Sequence, residues 1–208
     1  MNILAIDCCL KLTGAALMLD GVISGHEQED LGRRQTSELP RMCERLMNAA
    51  SLSWPELDYI AITNGPGYFT GIRVGAAYAS GLAYASGAKV IPVSALDMLA
   101  FTHRKNDRAG RKILTVIYAG HGWVYASCDG FLEAGEYSHA EVLSWLEGND
   151  DASVISDDPE RTALDIPGML QVRPDIVSLC EIAGEKVSLA VSPMELKISY
   201  YRAPQGVS

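Results

Sequence analysis

The feature that most constrains the fold is the segment from Asn64 to Gly75, which reads Asn-Gly-Pro-Gly-Tyr-Phe-Thr-Gly-Ile-Arg-Val-Gly. Gly65 and Gly67 permit backbone angles with positive φ, and Pro66 stiffens the bend between them. Thr70 carries a hydroxyl that can cap the helix it would start. The segment therefore predicts a strand-to-helix turn built largely from backbone groups.

Two roles fit such a turn. Unpaired N–H groups and the helix dipole attract anions at a helix N-terminus, so the turn could bind a phosphate. A Walker loop, however, places Lys and then Ser or Thr after its last glycine, whereas Ile72 and Arg73 follow Gly71 here. The alternative, which we favour, is a tight turn that lets a helix pack closely on a sheet.

A stripe of small residues follows the turn. In a helix that begins at Thr70, residues four apart share one face, and this face has almost no side chains. Such a face lets another backbone approach closely. Because glycine costs about 1 kcal/mol relative to alanine inside a helix, several glycines on one face indicate a packing requirement, met within the fold or by a second subunit. The stripe consists of Gly71, Gly75, Ala79, Ala83 and Gly87.

Composition excludes several classes of protein. With 208 residues and 48% hydrophobic content, the chain is long enough for one or two soluble globular domains. The sequence has no run of eighteen apolar residues and no signal peptide at its start, so we expect a cytoplasmic protein with no membrane association. The net charge of −9 argues against a protein that holds nucleic acid by itself.

The cysteines and histidines predict neither disulfides nor a metal site. The number of cysteines is odd and none form a Cys-x-x-Cys pair, which is typical of reduced thiols. The histidines lack the spacing of zinc ligands. The residues concerned are Cys8, Cys9, Cys43, Cys128 and Cys180, and His26, His103, His121 and His139.

Two groups of basic residues stand out from the acidic background. Each is more typical of a solvated face or loop than of a binding patch. The groups are Arg33, Arg34, Arg41 and Arg45, and then Arg104, Lys105, Arg108, Arg111 and Lys112.

Hydrophobic patterning predicts an α/β chain of two lobes. The first lobe, residues 1–103, has the order β-β-β-α-β-α-β-α with a mixed sheet, which differs from the strict alternation of a Rossmann unit. Its first helix has one buried stripe that includes Leu39, Met42 and Leu46. A polar linker opens a smaller second lobe, residues 104–208. In that lobe we expect strands at 113–118, 123–128 and 153–155 and helices at 138–146 and 175–184.

These residues resemble the actin-like ATPase superfamily and, within its glycoprotease-like (peptidase M22-like) branch, the bacterial TsaB (YeaZ) family. The block from Gly65 to Gly75 follows the family's Gly-Pro-Gly-Ser-Phe-Thr-Gly-Val-Arg-Ile-Gly almost residue for residue. Shorter matches occur at Ile3-Leu4-Ala5-Ile6-Asp7, Pro92-Val93-Ser94-Ala95-Leu96 and Tyr200-Tyr201-Arg202-Ala203-Pro204.

The resemblance implies actin-like (ribonuclease H-like) lobes, the second one degenerate, and a non-catalytic scaffold subunit. Proteins of this family form homodimers and pair with TsaD, which transfers a threonylcarbamoyl group to the tRNA adenosine next to the anticodon, with TsaE as an associated ATPase. The resemblance also implies no cofactor bound by this chain alone, room for ATP or ADP at a joint interface with TsaD, and tRNA contact only through the complex. In the family the first-lobe helices form the dimer surface, which places at the partner interface Leu39, Met42, Leu46, Gly71, Arg73, Gly75 and Ala79.

The chain departs from the family pattern at three points. Before the first helix, many members read Arg-x-His, whereas this chain has Arg33-Arg34-Gln35. The first strand ends in Asp7-Cys8-Cys9-Leu10, where the family commonly has Asp-Thr-Ser-Thr, so the hydroxyls of a phosphate loop are missing. The second lobe opens with residues 118–125, Tyr-Ala-Gly-His-Gly-Trp-Val-Tyr, in place of Asp-Ala-Arg-x-Gly-Glu-Val-Tyr. These changes mark a diverged member.

The alternative function is a nucleotide-dependent enzyme of actin-like fold, in which Asp7 would be the acid of a magnesium site. We favour a strand-end carboxylate that caps nearby amides. A protease is not expected, because the sequence has no zinc motif and no nucleophile elbow. The residues read as a structural turn or vestigial phosphate loop are Asp7, Gly65, Pro66, Gly67 and Thr70.

Overall fold

The computed structural model of the protein describes residues 1–107 and 110–201, which form two compact units. The first unit contains Met1–Met98 and Asp175–Ser199, and the second contains Leu99–Pro174 and the described residues from Tyr200 onward. The contacts therefore divide the chain differently from the predicted boundary between residues 103 and 104. The helix expected at 175–184 packs with the first lobe, because its apolar side contacts the strands of the first sheet.

The first unit has the predicted order of elements. Its strands and helices are β1 (Asn2–Asp7), β2 (Thr13–Leu19), β3 (Val22–Glu29), α1 (Gln35–Ala49), β4 (Tyr59–Thr63), α2 (Phe69–Ser86), β5 (Lys89–Val93) and the start of α3 (Ala95–Asn106), with α6 (Ile176–Glu185) returning from the end of the chain. Short 3-10 helices occur at Gly32–Arg34, Trp54–Glu56, Val187–Leu189 and Pro193–Glu195.

The second unit contains more elements than the sequence predicted. It consists of the remainder of α3, β6 (Ile113–Gly120), β7 (Trp123–Cys128), β8 (Leu132–Ser138), α4 (His139–Glu147), β9 (Ser153–Ser156), α5 (Pro159–Thr162) and β10 (Leu170–Gln171). Strand β8 was not predicted because its sequence, Leu-Glu-Ala-Gly-Glu-Tyr-Ser, has few apolar residues and no clear alternation.

The two sheets share one topology. The first sheet has the order β3-β2-β1-β4-β5 and the second has the order β10-β9-β6-β7-β8, so each unit places its own strands in the order 3-2-1-4-5. In both, the first strand pairs antiparallel with the second and parallel with the fourth. This repeat confirms the predicted fold class of two α/β lobes with mixed sheets, although the sequence shows no internal repeat.

Helices pack on the faces of the first sheet. Helices α1 and α2 cover one face, where Leu39, Met42 and Leu46 of α1 join a core with β1, β2 and β4. Helix α6 contacts every strand of this sheet. Within the described residues, no helix is long and apolar enough to cross a membrane.

Candidate functional site in the glycine turn and helix α2

The glycine turn connects the buried end of β4 to the start of α2. Gly65 has a φ of 109° and the Gly65–Pro66 peptide bond is cis, so the predicted positive φ is confirmed at this residue. Gly67 is not among the residues with positive φ. It is required for space instead, because a Cβ there would lie closer than 3.0 Å to the carbonyl oxygen of Cys9.

Helix α2 does not begin as the sequence predicted. Its N-cap residue is Tyr68, which makes no side-chain capping bond, and Thr70 lies exposed in the first turn of the helix. The backbone N–H of Tyr68 donates to the carbonyl oxygen of Cys9 at 2.7 Å. The turn therefore rests directly on the loop after β1.

Asp7 lies fully buried at the end of β1. One carboxyl oxygen, Oδ1, accepts hydrogen bonds from the Cys9 backbone N–H at 2.9 Å and from the Thr63 hydroxyl. The Cys9 thiol donates to the carbonyl oxygen of Thr63 at 2.9 Å. Burial raises the pKa of Asp7. The preferred interpretation of Asp7 was a strand-end carboxylate that caps nearby amides, and one backbone amide, that of Cys9, donates to it.

The two cysteines beside Asp7 are poor nucleophiles. Burial and the neighbouring Asp7 carboxyl raise the pKa of both the Cys8 and the Cys9 thiol. The thiolate is the reactive form of cysteine, so thiols in this setting stay protonated and inert.

A second contact of the turn was not foreseen from the sequence. The Asn64 side-chain amide donates to the carbonyl oxygen of Lys197 at 3.1 Å and to the Ser199 hydroxyl at 3.2 Å. The Ser199 N–H donates to the carbonyl oxygen of Asn64 at 2.9 Å. No local pattern could have revealed this pairing, because the two segments lie far apart in sequence.

The small-residue stripe faces the lobe's own sheet. A Cβ on Gly71 would overlap the carbonyl oxygen of Cys8, and a Cβ on Gly75 would lie 3.1 Å from Cδ1 of Ile62. Gly87 is the left-handed C-cap of the helix, with a φ of 82°, and does not belong to the packed stripe. The packing requirement is therefore met within the fold.

This packing corrects most of the predicted partner interface. Leu39, Met42 and Leu46 of α1 are core residues, and on α2 the same holds for Gly71, Gly75 and Ala79. Among the residues assigned to the interface, Arg73 is the one that lies exposed. The pattern of small residues identified the packed face correctly but not what it packs against.

The outward side of α2 presents a different surface. Phe69 and Tyr84 are 44% and 77% exposed, which is high for large apolar side chains. The Arg73 guanidinium lies 3.7 Å from the centroid of the Phe69 ring. Between these residues the exposed positions are small. We call this the outer α2 surface, and it comprises Phe69, Arg73, Ala77, Gly81 and Tyr84.

Several side chains of both basic groups form ion pairs with acidic residues. In the first group, Arg34 pairs with Glu29 at 3.2 Å and Arg45 donates to Glu27. In the second group, Lys112 pairs with Asp151 at 3.2 Å, while Arg108 lies outside the described residues. The pairing is consistent with solvated faces.

Two further sequence features are the histidines and cysteines and the match near the C-terminus. Within residues 1–107 and 110–201, no three His, Cys, Asp or Glu side chains are grouped to hold a metal ion. In the C-terminal match, the ring of Tyr201 lies 5.9 Å from that of Tyr125, whereas residues 202–204 lie outside the described part.

The family model and the relatives that this chain matches are all described as proteins of tRNA threonylcarbamoyl modification. The family model described as TsaD, tRNA N6-adenosine threonylcarbamoyltransferase, matches residues 28–144. The chain is 34% identical over 125 residues to the tRNA threonylcarbamoyladenosine biosynthesis protein TsaB of Escherichia coli K12, covering 60% of this chain and 53% of that protein. It is 34% identical over 100 residues to TsaB of Haemophilus influenzae, covering 48% of this chain and 42% of that one. The chain thus spans about half the length of these relatives.

Solved structures show the same fold. A Pseudomonas aeruginosa protein described as similar to the peptidase YEAZ superposes with a TM-score of 0.82 at 23% identity, over 97% of this chain and 99% of that chain. YeaZ from Pseudomonas aeruginosa superposes with a TM-score of 0.75 at 22% identity, over 96% and 99% of the two chains. At this identity the likeness establishes the fold.

Proposed function

The chain belongs to the TsaB (YeaZ) family, within the group that the TsaD model matches, and on this premise we propose that it is a non-catalytic partner subunit in the biosynthesis of threonylcarbamoyladenosine in tRNA. Its partner is a TsaD-like subunit, which carries out the transfer, and TsaE is the associated ATPase. Alone, the chain forms a homodimer. The observation that carries this proposal is the outer α2 surface.

The outer α2 surface has the composition of a protein contact. Aromatic residues and arginine are enriched at interfaces and supply most of their energetic anchors. Phe69 and Tyr84 are such anchors, and Arg73 is already held over the Phe69 ring. Between them, Ala77 and Gly81 leave the helix backbone open to close approach by another helix. A helix–helix contact with a second subunit fits this arrangement.

We assign the binding of tRNA and of any nucleotide to the complex with the TsaD-like subunit. The net charge of −9 disfavours tRNA binding by this chain alone, so the partner supplies most of the phosphate contacts. No cofactor is bound by the chain alone, and ATP or ADP is placed at the joint interface with the TsaD-like subunit.

The competing function, a nucleotide-dependent enzyme, has less support. A magnesium site needs a carboxylate that solvent and ion can reach. The Asp7 side chain is buried, and its Oδ1 is already occupied by two hydrogen-bond donors. The residues present therefore do not fit a magnesium nucleotide at this position.

The test places a charge on the outer α2 surface. The variant Tyr84→Glu should keep the fold, because the side chain is 77% exposed, and should weaken both the homodimer and the complex with the TsaD-like protein at least tenfold. The matched control is Val22→Glu, an exposed apolar residue on β3, which should leave both unchanged. Light-scattering mass on a sizing column, for each variant alone and mixed with the TsaD-like protein, gives the readout.

Two results would contradict the proposal. If the wild-type chain ignored the TsaD-like protein, the partner function would fail altogether. If Tyr84→Glu assembled as well as Val22→Glu, the contact would have to lie on another surface.

A further inference from the structure

Asp7 sits where three buried segments meet. It ends β1, Gly14 of β2 lies opposite it in the antiparallel pair, and Thr63 ends β4 beside it. The following loop turns back so that the Cys9 N–H points at the carboxyl group. The side chain has no exposed surface, so water cannot stabilise its charge.

The hydrogen bonds of Asp7 are unevenly distributed. Oδ1 accepts from the Cys9 N–H and from the Thr63 hydroxyl. Within the described residues, the buried Oδ2 has no hydrogen-bond partner. An ionised carboxylate spreads its charge over both oxygens, so one oxygen without a donor in the protein interior is costly.

The described residues around Asp7 supply no positive charge that would compensate. The titratable groups that interact with Asp7 are the thiols of Cys8 and Cys9, which are themselves neutral. On β2 and β4 the adjacent residues are Gly14 and Thr63, and α2 presents Gly71 to this loop. Within the described part of the chain, no Lys, Arg or His side chain forms a hydrogen bond or an ion pair with this carboxyl group.

We propose that Asp7 carries a proton at neutral pH and that the neutral carboxyl group pins the ends of β1 and β4 together. The actin-like fold implies a magnesium-binding carboxylate at this position, and the structure assigns it a closed, structural role instead. A metal ligand must be deprotonated, so a carboxyl group that keeps its proton does not bind a divalent cation. This goes beyond the proposed partner function, which would stand or fall independently.

Two substitutions at Asp7 test whether its carboxyl group is neutral. Asparagine matches the neutral acid in shape and keeps an oxygen that can accept from Cys9 and Thr63. Asp7→Asn should therefore fold normally, whereas Asp7→Ala leaves both donors without an acceptor and should be clearly less stable.

The pH dependence of unfolding reports how many more protons the folded state binds than the unfolded state. If folded Asp7 holds its proton and unfolded Asp7 titrates near its usual pKa of about 3.9, the folded state binds one more proton between about pH 5 and pH 7. The unfolding constant of the wild type, divided by that of Asp7→Asn, should then rise about tenfold per pH unit across this window. The same ratio for Asp150→Asn, which removes an exposed carboxylate, should stay flat.

An independent measurement needs no variant to fold. The side-chain carboxyl 13C shift of Asp7 in the wild-type protein should be that of a protonated acid at pH 7, with no titration between pH 3 and pH 7. A shift typical of an ionised carboxylate at pH 7, or a ratio for Asp7→Asn as flat as that for Asp150→Asn, would overturn the proposal. Neither result bears on association with the TsaD-like protein, so the two proposals fail separately.

Discussion

At the scale of single residues, two glycines of α2 have opposite surroundings. A Cβ on Gly71 would overlap the carbonyl oxygen of Cys8, which belongs to the backbone and cannot rotate away. Gly81 lies ten residues later on the exposed side, where a Cβ would meet nothing within 4 Å. The same residue type is therefore a packing requirement at one position and a helix weakness at the other.

We predict opposite effects of alanine at these positions. Gly71→Ala should destabilise the protein by about 3 kcal/mol or more, because the helix must move away from the loop after β1. Gly81→Ala should stabilise it by up to about 1 kcal/mol through helix propensity. Urea unfolding of the two variants beside the wild type measures both. Equal effects would mean that α2 is not seated on the loop as described.

A second residue-scale prediction concerns Asp157, which follows β9. Burial, reinforced by the neighbouring Asp158, raises the pKa of Asp157 to about 6. A raised carboxyl pKa stabilises the fold fully below the unfolded pKa, and this stability is lost as pH rises to the folded value. Between about pH 4 and pH 6, the unfolding constant of the wild type relative to Asp157→Asn should therefore rise. Urea unfolding at several pH values tests this, with Asp165→Asn as the exposed control, and a flat ratio would contradict it.

At the scale of elements, the leucines of α1 and α4 differ in burial. Leu46 of α1 is buried against β1, β2 and β4, whereas Leu143 of α4 in the second lobe is exposed. Truncating a buried leucine removes apolar contacts and leaves a cavity, but truncating an exposed one costs little.

Leu46→Ala should lower the free energy of unfolding by about 2–5 kcal/mol, whereas Leu143→Ala should change it by less than about 1 kcal/mol. Unfolding should be measured at several protein concentrations. Were Leu46 a subunit-contact residue, as the family resemblance implied, its truncation would instead alter the concentration dependence and spare the monomer.

The pattern of α2 shows how far the sequence alone could go. Residues four apart define a face, and both Gly71–Gly75–Ala79 and Arg73–Ala77–Gly81 form such series of mainly small residues. Periodicity says that each series shares a face but not which face meets the sheet. That choice depends on the Cys8 and Cys9 carbonyl groups, which approach the helix only in the folded lobe.

For the other elements too, local sequence patterns were predictive, whereas contacts between distant parts of the chain were not. The order of the first lobe was predictable, because its strands are apolar runs and Asp20-Gly21 marks a two-residue hairpin turn with positive φ at both residues. The contact of Asn64 with Ser199 and the weakly apolar strand β8 could not be predicted, because each depends on neighbours that are distant in sequence.

At the scale of the whole molecule, the first lobe is built from two separate stretches of chain. Helix α6 carries the buried residues Ile176, Leu179 and Ile182 to the first sheet, and Val191 forms a bridge with Val90 on β5. Without this return segment, the apolar side of the sheet that α6 covers would be open to water. A contiguous N-terminal lobe ending at residue 103 would therefore be incomplete.

We predict that a fragment of residues 1–103 does not fold cooperatively, because it exposes the sheet surface that α6 buries. A chain that joins Met1–Met98 to Asp175–Ser199 through a flexible Gly/Ser linker should restore a single cooperative transition, since it holds every element of the first unit. Circular dichroism during thermal and urea unfolding compares the two, with a linker-joined chain carrying Leu179→Glu as the control that keeps length but loses the apolar contact. Cooperative unfolding of residues 1–103 alone, with the stability of the joined chain, would show that α6 is dispensable to the first lobe.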